Sequence, residues 1–425
     1  MLDLLSELFP LNRSLTGKGV RETLRIIQRE IPSLKIHEVP SGTKAFDWTV
    51  PDEWNCFEAY LVTPRGKKIC NYSNNNLHLV GYSEPTEREL SLTELQPYLH
   101  SLPKQPDAIP YVTSYYKRSW GFCLPHSMRE KLSEGTYKVV IRSKLEPGNL
   151  TYGELLLPST TGDKKEILLS TYVCHPSMAN NELSGPVVAT YLAEWLESLP
   201  RRRHAFRILF LPETIGALVY LSQNLEEMKE NTIAGFVLTC LGDERCFSFI
   251  PSRNGKTLAD RAALHTLKHK ASGFKKYTYL DRGSDERQYC SPGIDLPIAT
   301  ICRSKYHEYA EYHTSLDNLD LVTQKGLEGS LKILQQAIQC LEQNLIYQVT
   351  TLGEPQLGKH GLYPSLSTKE TASMVANLTH LLAYADGKHD LLSIAELTEC
   401  PISQLNELAE SLANAGLIRE ASKSQ

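Results

Sequence analysis

His175, Glu213 and His313 are the residues whose types and placement could do chemistry. His175 opens the stretch His175-Pro176-Ser177-Met178-Ala179-Asn180-Asn181-Glu182-Leu183-Ser184-Gly185, directly after an apolar run over residues 166–173 that reads as a buried strand. Glu213 follows a second apolar run, Leu209-Phe210-Leu211-Pro212, and precedes a helical stretch. His313 lies in Glu311-Tyr312-His313-Thr314-Ser315-Leu316-Asp317, which also has the look of a strand exit. Open α/β sheets build their ligand sites at the carboxyl ends of strands. Amide hydrolysis needs an activated water, a base for its proton and a positive centre for the oxyanion. Two imidazoles can hold a zinc with an open position, which brings the pKa of bound water towards ~7. A carboxylate beside them can pass the proton to the leaving amine. The three residues together predict metal-assisted hydrolysis.

The elements that must position them can be read from periodicity. Residues 16–31 form an amphipathic helix pattern with Val20, Leu24 and Ile27 on one face, and a strand is expected over 34–39. Residues 42–130 carry Trp48, Trp54, Trp120 and many tyrosines, and read as a small β-rich insertion with strands at 58–62 and 111–116. A hairpin is expected from 136–145 and 151–157 about Pro147-Gly148-Asn149. Strands at 166–173, 206–210, 233–241 and 296–301 then alternate with helices at 186–198, 215–223 and 258–269, before a closing helix at 324–344. Such alternation predicts a sheet with helices on both faces. Residues 355–367 are rich in Gly and Pro and read as a linker. Helices at 371–385, 393–398 and 402–415, followed by a strand at 416–419, match a winged helix. Its third helix, with Pro401 near its start, carries Gln404, Asn406, Glu407, Glu410 and Asn414 but no Lys or Arg, so nucleic acid is not an expected partner.

Composition sets the bounds. The chain has 425 residues, 41% hydrophobic and 22% charged, with a net charge of −4, which fits two or three soluble domains and calls for neither nucleic acid nor an anionic membrane. No stretch approaches the ~20 apolar residues of a membrane span. The start, Met1-Leu2-Asp3-Leu4-Leu5-Ser6-Glu7, lacks the basic and apolar regions of a secretory signal. Ten cysteines are scattered without a CxxC pair, so reduced thiols and a cytoplasmic location are expected, not structural zinc on cysteine.

The ordered segments around residues 175–185, 212–214, 238–242 and 312–317 resemble the motifs of the co-catalytic zinc aminopeptidases. With the insertion and the tail, the whole chain looks like the bacterial zinc aminopeptidase-like proteins with a C-terminal winged helix. The resemblance covers roughly residues 130–345. It implies an α/β fold: a three-layer zinc-exopeptidase-like domain of residues 1–44 and 131–350, a β-rich inserted domain of residues 45–130, and a winged-helix domain of residues 351–425. It implies that His175 and His313 are metal ligands and Glu213 the catalytic base. The family's bridging aspartate falls on Asn181, its second-metal glutamate on Thr214, its last aspartate ligand on Thr239, and the aspartate that orients the base on Ser177. Two divalent cations ~3.5–4 Å apart need anionic ligands to offset their repulsion. One zinc per chain is therefore expected. Glu182 is the expected third ligand, with Asn181, Asp243 and Glu286 as alternatives. A family Ser-Asp-x-x-x-Phe segment near the substrate is similar to Ser284-Asp285 with Tyr289, so Asp285, Glu286 and Tyr289 are expected at the substrate.

The expected function is a metal-dependent exopeptidase acting on a peptide or small amide. One alternative is an amidohydrolase in surface-polysaccharide biosynthesis, implied by the gene neighbourhoods of the resembling group. Others are a non-catalytic binding or scaffold protein, favoured by the missing carboxylates, and a ligand-sensing transcription factor, disfavoured by the acidic third helix. A homo-oligomer is left open. The aromatic insertion, with Trp120, Tyr111, Tyr115 and Tyr116, reads as core or oligomer contact in preference to a sugar platform, and Asp317 as a structural residue.

Overall fold

The computed structural model describes residues 1–362 and 369–421, and side chains there except those of 369–372. The chain divides into two compact units, residues 1–259 with 274–332, and residues 260–273 with 333–425.

The first unit is built on an eight-stranded sheet. Its strands are β1 (Lys35–Pro40), β2 (Asn149–Leu157), β3 (Glu166–Tyr172), β4 (Ala205–Leu211), β5 (Thr232–Val237), β6 (Phe247–Ile250), β7 (Phe274–Lys276) and β8 (Ile298–Cys302), in the order β1-β2-β4-β3-β5-β8-β6-β7. Strands β4, β3, β5 and β8 run parallel. Every residue of β3 is buried, as a central parallel strand covered on both faces requires. In register, Tyr172 at the end of β3 stands opposite Leu211 at the end of β4. The chain therefore leaves both strands at the same edge, which places His175 and Glu213 side by side. The helix Ser184–Ser198 returns from β3 and the helix Ile215–Asn231 from β4. Gly185 lets the first helix start against β5's exit, since a Cβ there would lie 2.3 Å from the Leu238 carbonyl oxygen.

Two expectations are corrected. Residues 136–145 and 151–157 do form strands but not a hairpin with each other. The strand Thr136–Glu146 pairs with Glu53–Val62 and Thr86–Ser91 in a separate four-stranded sheet, whereas β2 pairs with β1 and β4. The turn at Pro147-Gly148-Asn149 passes the chain from one sheet to the other, because each strand finds its buried partner elsewhere. Residues 111–116 form no strand. Their backbone is spent on loops: Tyr111 donates to the His313 carbonyl at 2.9 Å, and isolated bridges join Pro110 to Thr314 and Gly81 to Thr113.

The second unit carries helices Lys369–Tyr384, Leu391–Thr398 and Ile402–Asn414, and a three-stranded sheet with Ile346–Val349 between Asp386–Asp390 and Ile418–Glu420. Asp390 caps the second helix by accepting from the Ser393 N–H at 2.7 Å, and Arg261 holds both Asp390 and Glu396. Of the expected linker, residues 363–367 lie outside the described residues, and Leu357–His360 forms a 3-10 turn. No helix among the described residues is long and apolar enough to cross a membrane.

Candidate active site

His175 is held by Glu182. After β3 the chain turns at Ser177 (φ 49°) and winds through the π-helical turn Ala179–Leu183, which brings Glu182 back beneath the histidine. Glu182 Oε2 accepts from His175 Nδ1 at 2.7 Å, from the Cys174 N–H at 3.0 Å and from the His175 N–H. Its other oxygen, Oε1, meets Arg13 Nε at 2.7 Å in an ion pair whose side chains are both fully buried. Arg13 also donates to the His175 carbonyl at 3.1 Å and to the Leu8 carbonyl at 2.6 Å. With Nδ1 bonded to a carboxylate, Nε2 is the nitrogen that can give up its proton and turn a lone pair to a cation. Burial opposes protonation of this ring, but Cys174 and Glu182 outweigh burial and hold its pKa well above the usual value.

His313 faces His175. Their ring centroids are 5.4 Å apart with planes at 45°. His313 does not leave a strand: it sits in a turn with φ 55°, beyond the end of β8. That turn is clamped to the insertion by the Tyr111–His313 backbone bond and by Ser315, whose N–H donates to the Ile109 carbonyl at 2.9 Å. Tyr312 stacks on the His313 ring at 3.9 Å, and Tyr111 lies 5.2 Å from His175 and 5.1 Å from His313 between ring centroids. Burial, then the charge of His175, pushes the His313 pKa down to about 2, so the ring is neutral.

Glu213 stands between β4 and the helix Ile215–Asn231, with Oε2 3.6 Å from His175 Nε2. Thr214 takes φ 64° to make this corner, and its N–H donates to Asp285 at 2.7 Å. Burial raises the Glu213 pKa, against the pull of His175 and Arg287. Asp285 is fully buried and its second oxygen has no partner. Burial, then the charge of Glu213, raises its pKa to about 8. Glu286 Oε1 accepts from the N–H groups of Gly283 (2.8 Å) and Ser284 (3.1 Å) and from the Tyr306 hydroxyl, which makes it a loop clasp. Tyr289 is fully buried and its hydroxyl meets Ser170 in β3 at 2.8 Å, so it serves the core. Asp243 is taken up by Ser304 at 3.0 Å and Asn180 at 3.1 Å. Asp317 accepts from the N–H groups of Asn180 (2.6 Å) and Asn181 (2.9 Å) and from the Tyr309 hydroxyl (2.7 Å), which fixes the loop after His175.

Where co-catalytic sites place carboxylates, a closed neutral network stands here. The Tyr172 hydroxyl meets Thr239 Oγ1 at 2.5 Å and accepts from Asn181 Nδ2 at 3.1 Å, and Thr239 Oγ1 donates to the Asn181 carbonyl at 2.8 Å. The donor set therefore does not fit a second cation. It does fit one. Two imidazoles on a single tetrahedral zinc, with bonds of about 2.0–2.1 Å, place their centroids about 5 Å apart. The observed 5.4 Å agrees, and Asn181 Oδ1, on the loop after His175, is buried and unpartnered. Cys174, His175 and Glu182 also place one donor atom each within 4.8 Å of one another. Burial raises the Cys174 pKa to about 11, against the pull of His175.

A cavity of about 230 Å³ opens over this centre, lined by Trp48, Tyr115, Cys174, His175, Glu213 and Ile215 among others. Glu213 is the one carboxylate among its lining residues. The sequence reading missed Arg13, and it gave Tyr111 and Trp48 to the aromatic insertion and not to the site. All three come from segments distant along the chain from the site motifs; the aromatic richness of residues 42–130 was the signal for two of them.

A family model described as a domain of unknown function (DUF4910) matches residues 2–344, and a winged helix-turn-helix model matches residues 345–420. A protein of Clostridium acetobutylicum named "Putative polysaccharide biosynthesis protein with aminopeptidase-like domain" is 41% identical over 419 residues, which are 98% of this chain and 95% of that one. A crystal structure of a "putative peptidase" from the same species is 40% identical with TM-score 0.91, over 99% of this chain and 95% of its own. A zinc aminopeptidase from Bacillus subtilis shares the fold, with TM-score 0.58 at 13% identity, over 79% of this chain and 93% of its own.

Proposed function

Since the chain belongs to the DUF4910 family and sets an aminopeptidase-like fold before a winged helix, we propose that it hydrolyses an amide bond with one bound cation. The observation that carries this reading is the convergence of His175, His313 and Glu213 from three separate loops, with His175 and Glu213 in the lining of one cavity. His175 Nε2 and the neutral His313 ring would hold zinc, with Asn181 Oδ1 as the available third donor. Bound there, zinc supplies a water of lowered pKa and polarises the carbonyl. Glu182 and Arg13 fix the His175 ring and tautomer, and the double use of Glu182 makes it an orienting group. Glu213 takes a proton at Oε2 and returns it to the leaving nitrogen, and a carboxyl with a raised pKa suits both directions. The aromatic walls exclude bulk water.

A second observation favours an N-acyl or glycan-linked amide over a free N-terminal peptide. A terminal ammonium needs an ionised carboxylate beside it. Glu286 is buried with one oxygen, Oε1, held by its own loop, and Asp285, with a pKa of about 8, is neutral at pH 7. The name of the Clostridium acetobutylicum relative points the same way. Metal analysis of the purified protein should give about one zinc per chain, absent from the His175→Ala, His313→Ala double variant. Amide hydrolysis should stop with chelator and fall by about 10²–10⁴ in Glu213→Gln. Two tightly bound zincs, or undiminished hydrolysis in Glu213→Gln, would refute the reading.

A further inference from the structure

Beside the candidate active site lies a larger cavity, of about 760 Å³, with Trp48, Tyr115 and Tyr116 in its wall. The same three rings line the 230 Å³ cavity over His175 and Glu213, so one aromatic partition borders both. We propose that the larger cavity binds the saccharide portion of the substrate, a short neutral oligosaccharide carrying the amide; this deepens the amide-hydrolysis reading and rests on it.

The rings are built for stacking. Trp48 is 39% and Tyr116 56% exposed, and they meet edge to face at 5.4 Å. Exposed aromatic surface in a concave wall is costly unless a ligand covers it. Trp48 sits on a tight hairpin, Lys44–Ala45 with Trp48–Thr49, which packs on the helix that begins just after Glu213. Tyr115 is fixed by an edge contact with Tyr82 at 5.1 Å and a hydroxyl bond to Tyr111. The platform is thus rigidly tied to the reacting centre.

The polar lining matches hydroxyl groups. Asp47 and Asp52 are balanced by Lys117 and Arg118, and Arg118 reaches Asp52 at 3.1 Å. Two acids and two bases give no net charge, so neither an anionic nor a cationic ligand is selected. A sugar hydroxyl donates and accepts at once, and a lining of carboxylates, cations and Ser114 offers both partners. The C–H faces of a pyranose carry slight positive charge and lie on the negative face of an aromatic ring. An apolar peptide side chain would instead call for a dry, uncharged wall. The volume lies in the ~300–1,000 Å³ range of ligand sites.

The test is calorimetric titration of the full-length Glu213→Gln protein with tri-N-acetylchitotriose, maltotriose and, as the peptide comparison, Ala-Ala-Ala. At least one trisaccharide should bind, and affinity should fall tenfold or more in Trp48→Ala and in Tyr116→Ala. Trp48→Tyr should retain most of it, which separates loss of the stacking face from loss of fold. No saccharide binding, binding unchanged by both alanine variants, or tripeptide binding with the same sensitivity would overturn the proposal. Saccharide binding without amide hydrolysis in the unsubstituted protein would keep the cavity as a saccharide site but remove the hydrolytic reading and, with it, the assignment of that saccharide to an amide substrate.

Discussion

Asp285 shows how much a single buried group decides. Its pKa of about 8 lies far above the ~3.9 of an exposed aspartate. Between those values the folded state holds the extra proton, so its stability falls as pH rises from about 4 to about 8. Asp285→Asn keeps an oxygen for the Thr214 N–H and lacks the titration. Its stability relative to the unsubstituted protein should therefore climb across that window, by at least the ~1.4 kcal/mol of one pKa unit. Urea unfolding at pH 5 and pH 8 checks this, and parallel behaviour of the two proteins would contradict it. At the same scale, the imidazole pair was picked out from sequence through the ordered motifs around it, since a lone histidine at a strand end is usually an ordinary polar residue. The roles of Glu182, Glu286 and Tyr289 were not. A carboxylate or phenol one residue along a loop can face the cavity or the core, and only its hydrogen-bond partners tell which. Tyr289 faces Ser170 in the core, and Glu286 faces its own loop.

The element that matters most is the loop from β3 to the helix Ser184–Ser198. It is pinned by Glu182 on Arg13 and by Asp317 on the N–H groups of Asn180 and Asn181. Arg13 lies in a segment that sequence periodicity leaves unassigned, yet it holds Glu182, the carboxylate bonded to the His175 ring. Arg13→Met leaves the Glu182 charge without its buried counter-ion, and such losses cost about 3–5 kcal/mol. A shift of the urea midpoint of that size is expected, together with weakened zinc binding, since the ring it orients is freed. A loss below ~1 kcal/mol would show that water reaches the pair. The strands and helices themselves followed the expected alternation closely, because a parallel sheet buried on both faces writes itself as apolar runs. Pairing did not follow: residues 136–146 and 149–157 looked like a hairpin and belong to two sheets.

For the molecule as a whole, the winged-helix unit presents Gln404, Glu407, Glu410 and Asn414 on the outer face of its third helix. Phosphate recognition needs cations there. The full-length protein should not shift duplex DNA even at low salt, and a shift that weakens steeply with salt would restore a regulatory reading. Amino-acid order alone determined the α/β class and the winged-helix tail, because apolar periodicity is a local property, and it singled out the two histidines as candidates. The tertiary structure decided which groups meet: that Glu182 holds His175, that a neutral Tyr172–Thr239–Asn181 network takes the place of carboxylates, and that Trp48 from the insertion walls the cavity. Those are contacts between distant segments, set by sheet register and loop closure, and no local pattern encodes them.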